Sequence, residues 1–196
     1  MVRFLIVLTA LVFGLVGVVS AADPRSDAAA LDLAKATLTA HGGAKIKDAK
    51  TMVLRGSVEV SAPGSTQTLP AAFAIVLSGE KYRFEIQSAF FNFQQTSDGD
   101  QTSSSMAGVS LPPINRVGVF VLPRIEEEGY VVAALGEKFK KKKGFRITSP
   151  EGYFTDFVVD EKTSLIKEYE SSYELNGRLI STGVAISKYR EVDGIL

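Results

Sequence analysis

The chain of 196 residues has no cysteine and a single histidine, His41. Without cysteine there is no disulfide framework, no thiolate nucleophile and no thiolate ligand for a metal. One histidine cannot build a multi-histidine zinc site, and no Cys-His pair can be assembled. No charge of one sign dominates either, with 22 Lys+Arg against 22 Asp+Glu. Nucleic acid is therefore not an expected partner, since phosphate binding needs a basic surface. A phosphate-cradling Gly-rich loop is missing. SDGD (97–100) has the spaced acids that begin a calcium loop, but lacks the remaining ligands and the terminal Glu, so it reads as a polar β-turn. Carboxylate-only catalysis stays open, though nothing marks a particular pair. The expectation is a non-enzyme without cofactor or metal.

What is present begins with an apolar run. Residues 2–19, VRFLIVLTALVFGLVGVV, carry one cation at Arg3, and Ser20, Ala21 and Ala22 supply small residues before Asp23-Pro24. A short positive head, an apolar middle and a small-residue exit describe an export signal rather than a retained anchor, since the run is short for a span. Cleavage after Ala21 or Ala22 fits equally well. It would release residues 23–196 as a soluble, exported single domain with 21 basic residues against 22 acidic ones.

The periodicity then divides the chain. Residues 27–40, DAAALDLAKATLTA, place Leu31, Ala34 and Leu38 at helical spacing, with Ser26 as the cap and His41-Gly42-Gly43 as the stop. The lone His41 at that end reads as a helix cap. From Thr51 the period becomes two: TMVLRGSVEV (51–60), LPAAFAIVL (69–77), KYRFEIQ (81–87) and FFNFQQ (90–95), with a turn at 62–65, predict a meander of antiparallel strands. Residues 103–129 break the alternation, and Val117, Phe120 and Val121 suggest a short helix between Pro113 and Pro123. Alternation resumes in YVVAAL (130–135), GFRITS (144–149), YFTDFVVD (153–160), SLIKEYESSYE (164–174) and RLISTGVAISKYREV (178–192), with Asn176-Gly177 as a hairpin signal. The predicted class is mainly β with α: one large antiparallel sheet, an N-terminal helix and an inserted helical or loop segment.

The apolar face is wide. Met52, Leu54, Val58, Phe73, Ile75, Tyr82, Phe84, Ile86, Phe91 and Phe93 fall in the first half alone, and one short helix is little cover for them. Either the sheet curls over its own core, or it leaves a half-closed barrel whose inner face takes an apolar ligand beneath the 103–129 segment. The basic run KFKKKKG (138–144) is also conspicuous. It reads as a solvated hairpin tip, or as a contact for anionic lipid headgroups through Lys140, Lys141, Lys142 and Lys143. EEE (126–128) is near enough in sequence to neutralise part of it.

The order of motifs carries a resemblance. A helix ending in HGG (41–43) leads into TMVLRGSVEV, KYRFEI and a TSDGDQ turn; the chain closes with YFTDFVVDEKTSLIKEYES (153–171) and SKYREVDGI (187–195). This resembles the periplasmic lipoprotein carriers of the LolA/LolB type and their outer-membrane lipoprotein-sorting relatives. The resemblance implies an unclosed β-barrel, or half-barrel, with helices over a cavity that holds acyl chains. It implies a monomeric, non-enzymatic carrier of lipid or lipidated protein in the periplasm. The cavity would be lined by the face listed above together with Val158, with Val117, Phe120 and Val121 as its lid. An envelope sensor or scaffold of the same fold, binding a protein partner, is the alternative. Relatives continue past "VDGI" into another strand, so this chain is expected to lack its last strand and to leave the strand through residues 184–192 exposed or covered by something else.

Overall fold

The computed structural model describes residues 25–60, 67–107, 111–175 and 177–196. The export-signal reading and the turn read at 62–65 lie outside them.

Helix α1 (Ala28–Ala40) is capped by Asp27, whose carboxylate accepts the Ala30 N–H at 2.9 Å. Ser26, expected to cap it, instead accepts the Val132 N–H at 2.9 Å, while the Asp27 N–H donates to the Val132 carbonyl at 2.8 Å. The helix start is thus stitched to the strand at Val132. At the other end His41 is the C-cap, and the Gly43 N–H reaches back to the Leu38 carbonyl at 2.9 Å. One further turn, α2 (Ala44–Lys47), follows.

Among the described residues, ten strands form two five-stranded antiparallel sheets. The first contains β1 (Thr51–Val60), β2 (Leu69–Ser78), β3 (Lys81–Ser88), β4 (Asn92–Ser97) and β5 (Thr102–Ser104), in chain order. The second contains β6 (Val131–Ala134), β7 (Gly144–Thr148), β8 (Phe154–Val159), β9 (Ile166–Leu175) and β10 (Arg178–Ala185), again in chain order. The mainly-β reading holds, as two open sheets that do not close into a barrel. β5 lies in a stretch read as irregular. β10 stops at Ala185 rather than continuing to Val192, and as an edge strand it leaves Leu179 and Val184 exposed.

Helix α1 packs on β6 and β7, so it covers the second sheet and not the apolar face of the first. Ala34, Leu38, Val132, Phe145, Ile147, Phe157, Val159 and Ile166 form this larger core. The connection between the sheets is not the α-helix expected between Pro113 and Pro123. It is two 3₁₀ turns, Ile114–Arg116 and Gly118–Arg124, the second containing Pro123. Gly118 has φ +63°, and its buried N–H donates to both Thr155 Oγ1 and Ser171 Oγ at 3.0 Å. A Cβ there would meet the Tyr169 ring at 3.2 Å, so the chain can enter this turn only as glycine.

The opposite face of the second sheet is polar at its centre. Arg146, Asp156 and Glu170 stand side by side across β7, β8 and β9. Arg146 grips Asp156 through two bonds, Nε to Oδ1 at 2.8 Å and Nη2 to Oδ2 at 2.7 Å, and its guanidinium lies 3.9 Å from the Phe154 ring centre.

Candidate functional site

Registers decide which side chains share a face, because directly opposed residues in antiparallel strands point the same way. Met52 faces Leu77, Leu54 faces Ile75, and Val58 faces Ala71. Leu77 faces Tyr82, Ile75 faces Phe84, Phe73 faces Ile86, and Ile86 faces Phe93. The nine strand residues read from the sequence therefore lie on one face of the first sheet. Phe91 sits just before β4, half-buried. Val158 does not belong with them. It is on β8 of the second sheet, opposite Gly144 and Glu168, on the face turned away from α1. Alternation along one strand places a residue on a face, but not that face towards another sheet.

The middle of the first sheet's face is filled. Ile75, Leu77 and Tyr82 are buried beneath Ile114 and Phe120 of the 3₁₀ segment, with Met52, Leu54, Phe73 and Phe84 around them. The three residues expected to form a lid divide between two cores: Val121 belongs to the α1 core and Phe120 to the first sheet's, while Val117 is buried. The segment is a wedge seated in both. Gln95, on the same face as Phe84, is 1% exposed and donates from Nε2 to the Leu111 carbonyl at 2.8 Å, holding the start of the wedge.

To one side of the filled centre lies a groove of about 640 Å³, within the range of small-molecule sites. Met52, Leu54, Leu77 and Phe120 supply one wall. Leu122, Ile46 and Ile166 continue the apolar lining, and Ile186, Tyr189, Val192, Ile195 and Leu196 close the other side. The last group is not among the residues expected from the sequence to line a cavity, because SKYREV reads there as strand.

Segment 186–196 instead folds back on the end of α1. Val192 and Ile195 exchange two backbone hydrogen bonds, at 2.8 and 2.9 Å, around Asp193 (φ +53°) and Gly194 (φ +79°). Two positive φ values at the centre of a two-residue loop match the tight-hairpin turn that Asp-Gly favours. Ile195 and Leu196 are thus outside the sheets, and the Leu196 N–H donates to the His41 carbonyl at 3.2 Å. Lys45 Nζ donates to the Asp193 carbonyl at 3.1 Å.

His41 anchors this wall. Its Nδ1 is 2.8 Å from the Thr37 carbonyl and so carries the proton of the neutral ring. Nε2 lies 3.1 Å from the Tyr189 hydroxyl and accepts the Ile166 N–H at 3.4 Å. The Tyr189 hydroxyl donates to the Ile166 carbonyl at 2.6 Å, and burial pushes its pKa up to about 12. Burial also holds the His41 imidazole below its ordinary value of 6.5, with the Thr37 carbonyl acting the other way. The unfolded chain therefore takes up this proton at higher pH than the folded one. Stability is whole above the ordinary value and declines as pH falls through it towards the lower folded value. Urea midpoints compared at about pH 7.5 and about pH 5.5 are expected to drop more for the native protein than for His41→Gln. An equal drop would show that His41 does not carry this dependence.

Charged groups fix the groove's far rim. Glu80, at the β2–β3 turn, accepts from Arg116 at 3.1 Å, Arg124 at 2.9 Å and Asn115 at 3.1 Å. Arg124 also pairs with Glu127 at 2.7 Å and lies over the Tyr130 ring. This ties the first sheet's hairpin tip to the wedge and to the start of the second sheet.

The basic run takes partners across the second sheet rather than from EEE. Lys138 pairs with Glu170 and Lys142 with Glu168; Lys140 pairs with Glu137 at 2.6 Å, and Lys143 donates to the Glu161 carbonyl at 2.9 Å. Glu126 holds Lys35 and Lys47 instead. Proximity along the chain is a poor guide here, since β9, paired with β8, brings Glu168 and Glu170 to the tip. SDGD is a turn in which Asp98 Oδ1 accepts the Asp100 and Gln101 N–H groups, which keeps its carboxyl below the usual range.

Compared with known proteins, the chain matches no family model and no curated protein.

Proposed function

We propose that this protein is a non-enzymatic periplasmic carrier or binding protein for lipid acyl chains or lipidated proteins, built as an unclosed half-barrel. The observation that carries the reading is the groove of about 640 Å³ between the first sheet's apolar face and segment 186–196. Its walls offer Met52, Leu54, Leu77, Phe120, Ile186 and Ile195 to whatever enters. Each acyl methylene moved from water into such a site gains about 0.8 kcal/mol, enough in sum to draw a chain out of water. Among the described residues the two sheets share no strand pairing, which agrees with an unclosed barrel. His41 and Tyr189, the groove residues best suited to proton chemistry, are engaged by main-chain groups and position the wall.

The test is uptake of a fluorescent fatty acid, with mass spectrometry for co-purifying lipid. The native protein is expected to bind, and Leu54→Asp to weaken binding by about ten-fold or more, since a charge would enter an apolar wall. Leu54 is only half-buried on an edge strand, so the variant should keep its fold and its circular dichroism. No lipid and no uptake in the native protein would remove the reading. A scaffold that binds a protein partner is the second reading. It draws on Val53 and Val76, directly paired across β1 and β2 and exposed on the outer face.

A further inference from the structure

The groove's apolar walls account for a chain, but not for the charges that line it. Four cations do so: Lys47, Lys50, Arg124 and Arg190. Lys47 is 2.5 Å from Glu126, and Arg124 is held between Glu80 and Glu127. Lys50 and Arg190 are both exposed and have no ion-pair or hydrogen-bond partner among the described residues. Of the acidic side chains in the lining, Glu80 and Glu127 are taken by Arg124, which leaves Asp193.

The two spare cations are exposed and both belong to the groove's lining. Lys50 directly precedes β1, two positions before Met52, the first inward residue of the apolar wall. Arg190 adjoins Tyr189 on the opposite wall. Each thus borders the chain-binding surface without interrupting it, as the head of an amphiphile requires.

We infer that the groove takes a single-chain amphiphile with an anionic head, a carboxylate or a phosphate monoester, in preference to a neutral lipid. The chain lies against Met52, Leu54, Leu77 and Phe120, and Lys50 and Arg190 hold the head. This rests on the acyl-chain reading of the groove and narrows it to one class of ligand. Arginine suits either anion through its planar fork, and lysine acts as a point charge. Both cations are solvent-exposed, so the preference they give is modest and falls with salt.

The experiment is displacement of a neutral fluorescent alkyl probe by laurate, lauryl phosphate and lauryl alcohol. At low salt either anion is expected to compete at concentrations roughly ten-fold lower than the alcohol, and added salt should shrink the difference. K50Q/R190Q should bring the anions to the alcohol's level and leave the alcohol unchanged. K141Q/K188Q, which removes as much charge from exposed positions outside the groove, should keep the preference. If native protein binds alcohol and anions equally, or if K50Q/R190Q keeps the preference, the inference is overturned while the acyl-chain reading stands. If neither the probe nor any of the three amphiphiles binds, the acyl-chain reading fails and takes this one with it. Laurate against lauryl phosphate then tells which anion the pair prefers.

Discussion

Replacing Phe157 with alanine is expected to lower the unfolding free energy by about 3–5 kcal/mol, a large part of what holds a domain of this size folded. Phe157 is 0% exposed at the centre of the α1 core. Its ring stacks on Phe145 with centroids 5.3 Å apart and tilts against Tyr169 at 5.8 Å. Truncation would open a cavity with packed rings on two sides, and β8 lies between β7 and β9, so the backbone has little freedom to close it. Tyr169 is also the ring that Gly118 approaches, so the loss would reach the wedge between the sheets. Equilibrium unfolding in urea measures this directly. Phe90→Ala provides the comparison, because Phe90 is 76% exposed and its loss should stay within about 0.5 kcal/mol. Similar losses at the two positions would mean that Phe157 is not packed in this way.

Arg146→Met is expected to cost a similar amount, about 3–5 kcal/mol, for an electrostatic reason. The arginine's own attraction for Asp156 is not the main term, because forming a buried pair costs much of what it returns. The cost lies in what remains: Asp156, 4% exposed, would lose both hydrogen bonds and stand beside Glu170 in the same cross-strand row. Asp156→Asn should be milder, since the asparagine oxygen still accepts a bond and Arg146 keeps a partly exposed side chain. An apolar pair, Arg146→Met with Asp156→Leu, should recover much of the loss, because no charge is then left unpartnered. Thermal melts of the three variants give the order, and an Arg146→Met protein as stable as the native one would refute it.

What could be read from the chain was the part that depends on near neighbours. Period-two alternation in TMVLRGSVEV and KYRFEIQ put Met52, Leu54, Tyr82 and Phe84 on one face, and the registers keep them there. The Asp193-Gly194 turn is of the same local kind, since its signal is in two residues. The segment after it is not, because a turn does not say whether its second arm joins a sheet or lies against a helix end. The side of the molecule that α1 covers depends on Ser26 and Asp27 reaching Val132, a contact with no periodic trace. His41 could be read as a cap through Thr37, four residues away, but its bond to Tyr189 spans 148 positions. The basic run shows the same limit, since its counter-charges Glu168 and Glu170 come from β9. The groove is formed mainly by such distant contacts, which is why the sequence showed its first wall and missed its second.

The same split orders events in time. Within each sheet every strand pairs with its neighbour along the chain, so both meanders can zip from local hairpins at small entropic cost. The groove's second wall has no such shortcut. It exists only once residues 186–196 have docked on His41, a loop closure across most of the chain. The groove is therefore completed last, after both sheets have formed.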